Sequence, residues 1–125
     1  MDSELLAKEI FNADSQIVHL GLIDLDGNVV LDQAASASGP MEPDEERVAF
    51  YHQLDVRRHA REHLDEAYGK TDYVHIIREK MQQAILYLPE FTIYLTLDKS
   101  MTPDEVKAAI QKIKFLDSDI MKSGV

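Results

Sequence analysis

The apolar and polar positions of the chain switch several times between a helical and a strand period. Residues 2–13 place Leu6, Ile10 and Ala13 at helical spacing behind Asp2 or Ser3 as a cap, which predicts a short helix. Residues 16–25 form an almost continuous apolar run, as in a central strand covered on both faces. Period-two alternation sets Ile17, His19, Gly21 and Ile23 on one side, with Val18, Leu20, Leu22 and Asp24 on the other. Gly21 leaves room for a close neighbour. Asp26-Gly27 signals a two-residue hairpin, and residues 28–32 form the returning strand. The small, polar stretch 33–42 reads as a loop.

Pro43, followed by Asp44, Glu45 and Glu46, opens a second helix whose pattern continues to Tyr68, with Gly69 as its stop. At 1.5 Å per residue that helix would be roughly 39 Å long, so it must protrude, pair with a second copy, or break. Its apolar side is expected to hold Ala49, Val56, Ala60, Leu64 and Ala67, whose small side chains suit close approach to a sheet. Tyr51 and Leu54 fall outside that sector and suit a paired helix. Residues 72–79, 82–88 and 91–97 read as three strands in a meander. Thr102, Pro103 and Glu105 form a capping box ahead of a last helix over 103–117, and 118–125 are expected to fray. The order α-β-β-α-β-β-β-α predicts one α+β domain over residues 1–125, a five-stranded antiparallel sheet with helices on its faces.

Composition narrows the function. The 125 residues include no cysteine, so disulfides and thiolate chemistry are excluded. No apolar run approaches the length of a membrane span, and the first residues lack the pattern of a signal peptide. These features fit a cytoplasmic protein. The net charge of −10 is unevenly placed: residues 1–46 hold eleven acids against one base, Lys8, while residues 47–125 hold twelve of each. An acidic first third argues against nucleic acid and anionic membranes as partners.

The element order, the strand GLIDLDGNVV with its hairpin turn, the helix opening at Pro43, the strand run DYVHIIREKMQQAILYLPEFTIYLTLDKS and the closing helix together resemble the roadblock (dynein light-chain) domain family, with its profilin-like fold. The resemblance spans nearly the whole chain and rests on element order and apolar pattern. It implies a non-enzymatic homodimer in which the central helices pack together and the strand after them pairs with its copy. The interface residues would then be Tyr51, Leu54, Arg58, Tyr73, His75 and Ile77. It also implies a scaffold or regulator of a small Ras-like GTPase, with no cofactor. The length of the central helix, its three histidines and Arg57-Arg58 depart from the pattern.

Those histidines are the chief candidate chemistry. His52, His59 and His63 fall within about 40° of one another around the helix. The stripe reads as a solvated or interface polar surface; its alternative is a divalent-metal site, with Glu66 or Asp55 assisting. Together with Gly21 and His75 it supports the competing reading, a small-ligand or metal sensor. Asp24-x-Asp26-Gly27 has its glycine too early for a calcium loop. No H-E-x-x-H, G-x-S-x-G or phosphate-loop motif occurs, so no reaction class is favoured.

Overall fold

The computed structural model describes residues 3–35 and 44–116. The loop from Ser36 onward, the opening of the central helix at Pro43, Asp2 as a cap and the segment 118–125 lie outside the described residues. The elements run α1 (Ser3–Ala13), β1 (Ile17–Asp24), β2 (Val29–Ala34), α2 (Asp44–Glu62), α3 (Asp65–Tyr68), β3 (Tyr73–Ile77), β4 (Gln82–Tyr87), β5 (Phe91–Leu97) and α4 (Pro103–Leu116). The five strands make one antiparallel sheet in the order β2-β1-β5-β4-β3, an α+β arrangement in the predicted element order. β2 and β3 are its two edges.

Helices cover both faces. On one face Leu6 and Ile10 of α1 and Val106, Ala109, Ile110 and Ile113 of α4 close over Leu20, Leu22, Leu86, Ile93 and Leu95. This layer is almost wholly aliphatic. Thr102 caps α4 reciprocally: its hydroxyl accepts from the Glu105 N–H at 3.2 Å, and Glu105 Oε1 accepts from the Thr102 N–H at 3.0 Å. On the other face α2 covers Ile23, Ile85 and Tyr94 with Tyr51 and Leu54.

Three sequence expectations need correction. In β1 the pairing with β5 shifts between Ile17 and His19, so Ile17 joins Leu20 and Leu22 in the α1–α4 core instead of following His19. At the hairpin, the Asp24 N–H donates to the Asn28 carbonyl and Gly27 has φ 85°, giving a three-residue loop where a two-residue one is expected. The central helix does not run unbroken: α2 ends at Glu62 and α3 begins at Asp65. The chain tightens there through a bond from the Leu64 N–H to the Arg61 carbonyl, with neither proline nor glycine at the break.

Candidate interaction site

α2 is seated by polar-tipped side chains rather than by a small apolar stripe. Tyr51, Leu54 and Arg58 are 2%, 1% and 6% exposed, beneath the helix and against the protomer's own sheet. They are therefore not available for the interface assigned to them from the pattern. Conversely Val56 and Leu64, expected against the sheet, are 47% and 51% exposed, and Ala49, Ala60 and Ala67 face outward too. The inversion has a physical cause. A tyrosine and a leucine bury far more apolar area than a row of alanines, and the tyrosine and arginine find fixed partners for their polar ends.

Those partners are specific. The Tyr51 ring fills the space above Gly21, and its hydroxyl donates to Asp32 Oδ1 at 3.0 Å. Burial, then the negative charge of Asp32, pushes the pKa of that hydroxyl upward. Asp32 also holds Arg47 Nε at 2.6 Å and lies 2.5 Å from His19 Nε2, so one β2 carboxylate ties β1 and α2 together. Farther along, Arg58 donates to the carbonyls of Leu88 and Phe91, both at 2.6 Å, and to the Thr92 hydroxyl at 3.1 Å. Glu62 takes its Nε at 3.2 Å. Arg61 Nη1 reaches the Tyr87 hydroxyl at 2.6 Å.

These contacts orient the exposed half of α2. Asp32 and Gly27, beside Tyr51 and Asp55, mark the flank toward the β1–β2 hairpin; Tyr87, beside Arg61, marks the flank toward β4 and β3. At 100° per residue Phe50 and Arg57 fall on the β3 flank of α2, whereas Val48, His52 and His59 fall on the hairpin flank; Leu64 is exposed in the turn that follows the helix. Next to the β3 flank, Val74 and Ile76 lie half-buried on the α2 side of the sheet. Ile77, the last residue of the edge strand, is exposed, and Tyr73 packs partly against the α1–α4 core. Sequence periodicity hid Phe50, Arg57, Ala60 and Leu64 because it weighted apolarity and ignored where a tyrosine hydroxyl or a guanidinium could bond.

The features behind the sensor alternative are taken up otherwise. Gly21 accommodates Tyr51, and His75 Nε2 bonds Gln82 Oε1 at 2.6 Å. His52, His59 and His63 are exposed, with His63 in the turn after α2, and His59 lies 3.4 Å from Asp55. Among the described residues no three histidine or carboxylate side chains gather as metal ligands do. A cleft of about 540 Å³ lies beside Tyr87, Leu88 and Pro89, and its charges are largely paired, Arg58 with Glu62 and Lys114 with Asp72. No described helix is long and apolar enough to cross a membrane.

No family model matches this sequence, and no curated protein does. Solved structures match strongly in shape. An MglB described with a tetrameric arrangement superposes at TM-score 0.76, with 14% identity over 98% of this chain and 91% of that one. Myxococcus xanthus MglB gives 0.69 at 12% identity, covering 95% of this chain and 90% of its own. A roadblock/LC7 domain from Streptomyces avermitilis gives 0.67 at 8% identity, covering 97% and 99%. At such identities the likeness is one of fold: this chain has the architecture of the roadblock/LC7 domains.

Proposed function

We propose that the protein is a non-enzymatic, homodimeric interaction module of the cytoplasm that scaffolds or regulates a small Ras-like GTPase and needs no cofactor. The observation that carries self-association is the set of apolar side chains exposed on α2 and in the turn after it, adjoining the edge of β3 that pairs with no further strand among the described residues. A twofold axis between two such surfaces would pair β3 with its copy through Tyr73, His75 and Ile77, and lay the two α2 helices side by side and antiparallel. The tetrameric arrangement described for one fold neighbour supports assembly of copies. The GTPase role rests on the roadblock resemblance. The part-buried His19–Asp32 pair is tied to α2 by Arg47 and Tyr51, which fits a structural duty rather than a catalytic one.

Light scattering at about 0.1 mM, well above the dissociation constants of ordinary stable dimers, tests the assembly. The expected mass is twice 14.2 kDa, falling to one protomer in Leu64→Glu and in Ile77→Lys. A single-protomer mass for the wild type overturns the dimer. Titration against Ras-like GTPases loaded with GDP or a GTP analogue tests the second half; no binding and no change in nucleotide hydrolysis or exchange removes it.

A further inference from the structure

The sheet edge opposite β3 has properties that self-association through β3 and α2 leaves unused. Among the described residues β2 pairs only with β1, so its outer side presents unpaired backbone groups. Edges of this kind are commonly guarded by lysine, proline, an inward charge or a pronounced bulge. β2 has neither lysine nor proline. Its single charge, Asp32, is bonded by His19, Arg47 and Tyr51 on the α2 side of the sheet, so its charge is partly met within the protomer. One irregularity sits at Val29 and Val30 opposite Ile23, and the register from Leu31 to Ala34 is unbroken.

The surroundings are apolar and acidic. Leu25, Val29 and Val30 of the hairpin are exposed, as is Val48 on the adjoining flank of α2. No lysine or arginine occurs between Glu9 and Glu46, and Arg47 is held by Asp32. Asp24, Asp26, Glu45, Glu46 and Asp55 supply the local field. The other edge differs: Lys70 precedes β3, and Arg78 and Lys80 follow it.

We propose that the outer edge of β2 is a docking site for an extended segment of another protein in which lysine or arginine alternates with aliphatic residues. Such a segment adds a sixth strand. It takes its backbone hydrogen bonds from β2, sets aliphatic side chains against Val29 and Val30, and brings its cations to the carboxylates around the hairpin. This surface lies away from β3 and the β3 flank of α2, so the proposal stands whether or not the chain self-associates.

The probes are two acetylated, amidated hexapeptides, Lys-Val repeated three times and Glu-Val repeated three times, titrated into the isotope-labelled full chain while amide shifts are followed. The lysine peptide is expected to shift the amides of residues 29–34, with affinity that weakens as salt is raised. Val30→Lys, an exposed change that guards the edge, is expected to weaken binding about tenfold or more. Asp26→Lys gives a second, smaller loss through the field alone. Absence of binding at millimolar peptide, equal binding of the glutamate peptide, shifts centred on residues 73–77, or unchanged affinity in Val30→Lys each overturns the proposal. Concentration-dependent shifts at 29–34 without peptide overturn it too, because a second copy would then occupy the edge.

Discussion

A methyl group at Gly21 probes how α2 is seated. A Cβ there would lie 2.3 Å from the Tyr51 hydroxyl oxygen, 2.4 Å from Cε1 and 2.7 Å from Cζ, all inside van der Waals contact. Tyr51 has no open space to enter: it is buried, its hydroxyl is bonded to Asp32, and its ring stands edge-on to Tyr94 with centroids 6.1 Å apart. Gly21→Ala must therefore push the ring, and α2 with it, off the sheet. Overpacking of this kind costs about 1–3 kcal/mol, and losing the Tyr51–Asp32 bond adds about 0.5–1.5 kcal/mol. The alanine returns about 0.5–1 kcal/mol by restricting the unfolded backbone. The balance is about 0.5–4 kcal/mol of destabilisation, with a middle value of ~2 kcal/mol, which at a urea m-value of roughly 2 kcal/mol/M lowers the midpoint by on the order of 1 M.

Urea unfolding followed by circular dichroism, at one fixed protomer concentration, measures this shift. The second substitution carries the test of cause. Tyr51→Phe removes only the hydroxyl and leaves the ring carbons in the way, so Gly21→Ala costs nearly as much in that background. Tyr51→Leu removes the ring, so the same alanine costs little, and the pair shows strong coupling. A wild-type midpoint for Gly21→Ala, or rescue by Phe as complete as by Leu, refutes the reasoning.

Other substitutions test the remaining anchors. Arg58→Met keeps the buried stem but removes the guanidinium from the Leu88 carbonyl, the Thr92 hydroxyl and the Phe91 carbonyl, the last of which keeps the Leu88 N–H at 2.9 Å; we expect a loss of about 2–4 kcal/mol by urea unfolding, only partly recovered in Arg58→Lys, whose ammonium lacks the planar fork. Thr102→Ala removes the α4 cap and should cost about 1 kcal/mol, read as a lower Tm. The Asn28 N–H lowers the pKa of Asp24, the Ser100 hydroxyl that of Asp98, and the Thr102 N–H that of Glu105, below ordinary values of 3.8, 3.8 and 4.5. Each group binds fewer protons folded than unfolded, so its contribution is present above those values and lost as pH falls through the lowered pKa. Tm should fall on acidification below about pH 4.5, and a rise there contradicts the assignment.

Element order, sheet class and the α4 cap were legible because each rests on local signals: apolar period, Gly27 and Pro89 in turns, and Thr102 with Glu105. The seating of α2 was not. A helical wheel that scores Tyr51 and Arg58 by polarity sends them outward. It cannot know that Asp32 waits on an edge strand, or that the β4–β5 turn turns the Leu88 and Phe91 carbonyls toward a guanidinium. Gly21 carried the missing signal, a gap of aromatic size in an apolar strand. It predicts room for a neighbour, but nothing local names Tyr51. The β1 irregularity at Val18 was hidden for a similar reason, since a bulge is set by the partner strand.

The two faces of the sheet hold their helices by different means. α1 and α4 bury Leu6, Ile10, Val106, Ala109, Ile110 and Ile113 against the sheet, with Leu5 and Phe115 left exposed at their margins. α2 is held by a tyrosine, a leucine and an arginine, which leaves Val56 and Ala60, and Leu64 in the turn after it, outside. Full burial of a valine or leucine is worth about 1.5–3 kcal/mol, so the stabilisation this stripe can give is not used within the protomer and is available on association. In the proposed dimer, fold and assembly would reside on opposite sides of one helix, and two substitutions should separate them. Gly21→Ala lowers the urea midpoint at every protein concentration, because it disturbs the seat of α2. Leu64→Glu leaves the midpoint of the dilute protein near wild type but abolishes its rise with concentration, because ligation by a second copy adds stability only where the copy binds. If Leu64→Glu unfolds the dilute protein as readily as Gly21→Ala does, the outer stripe belongs to the fold and the division between the faces is wrong.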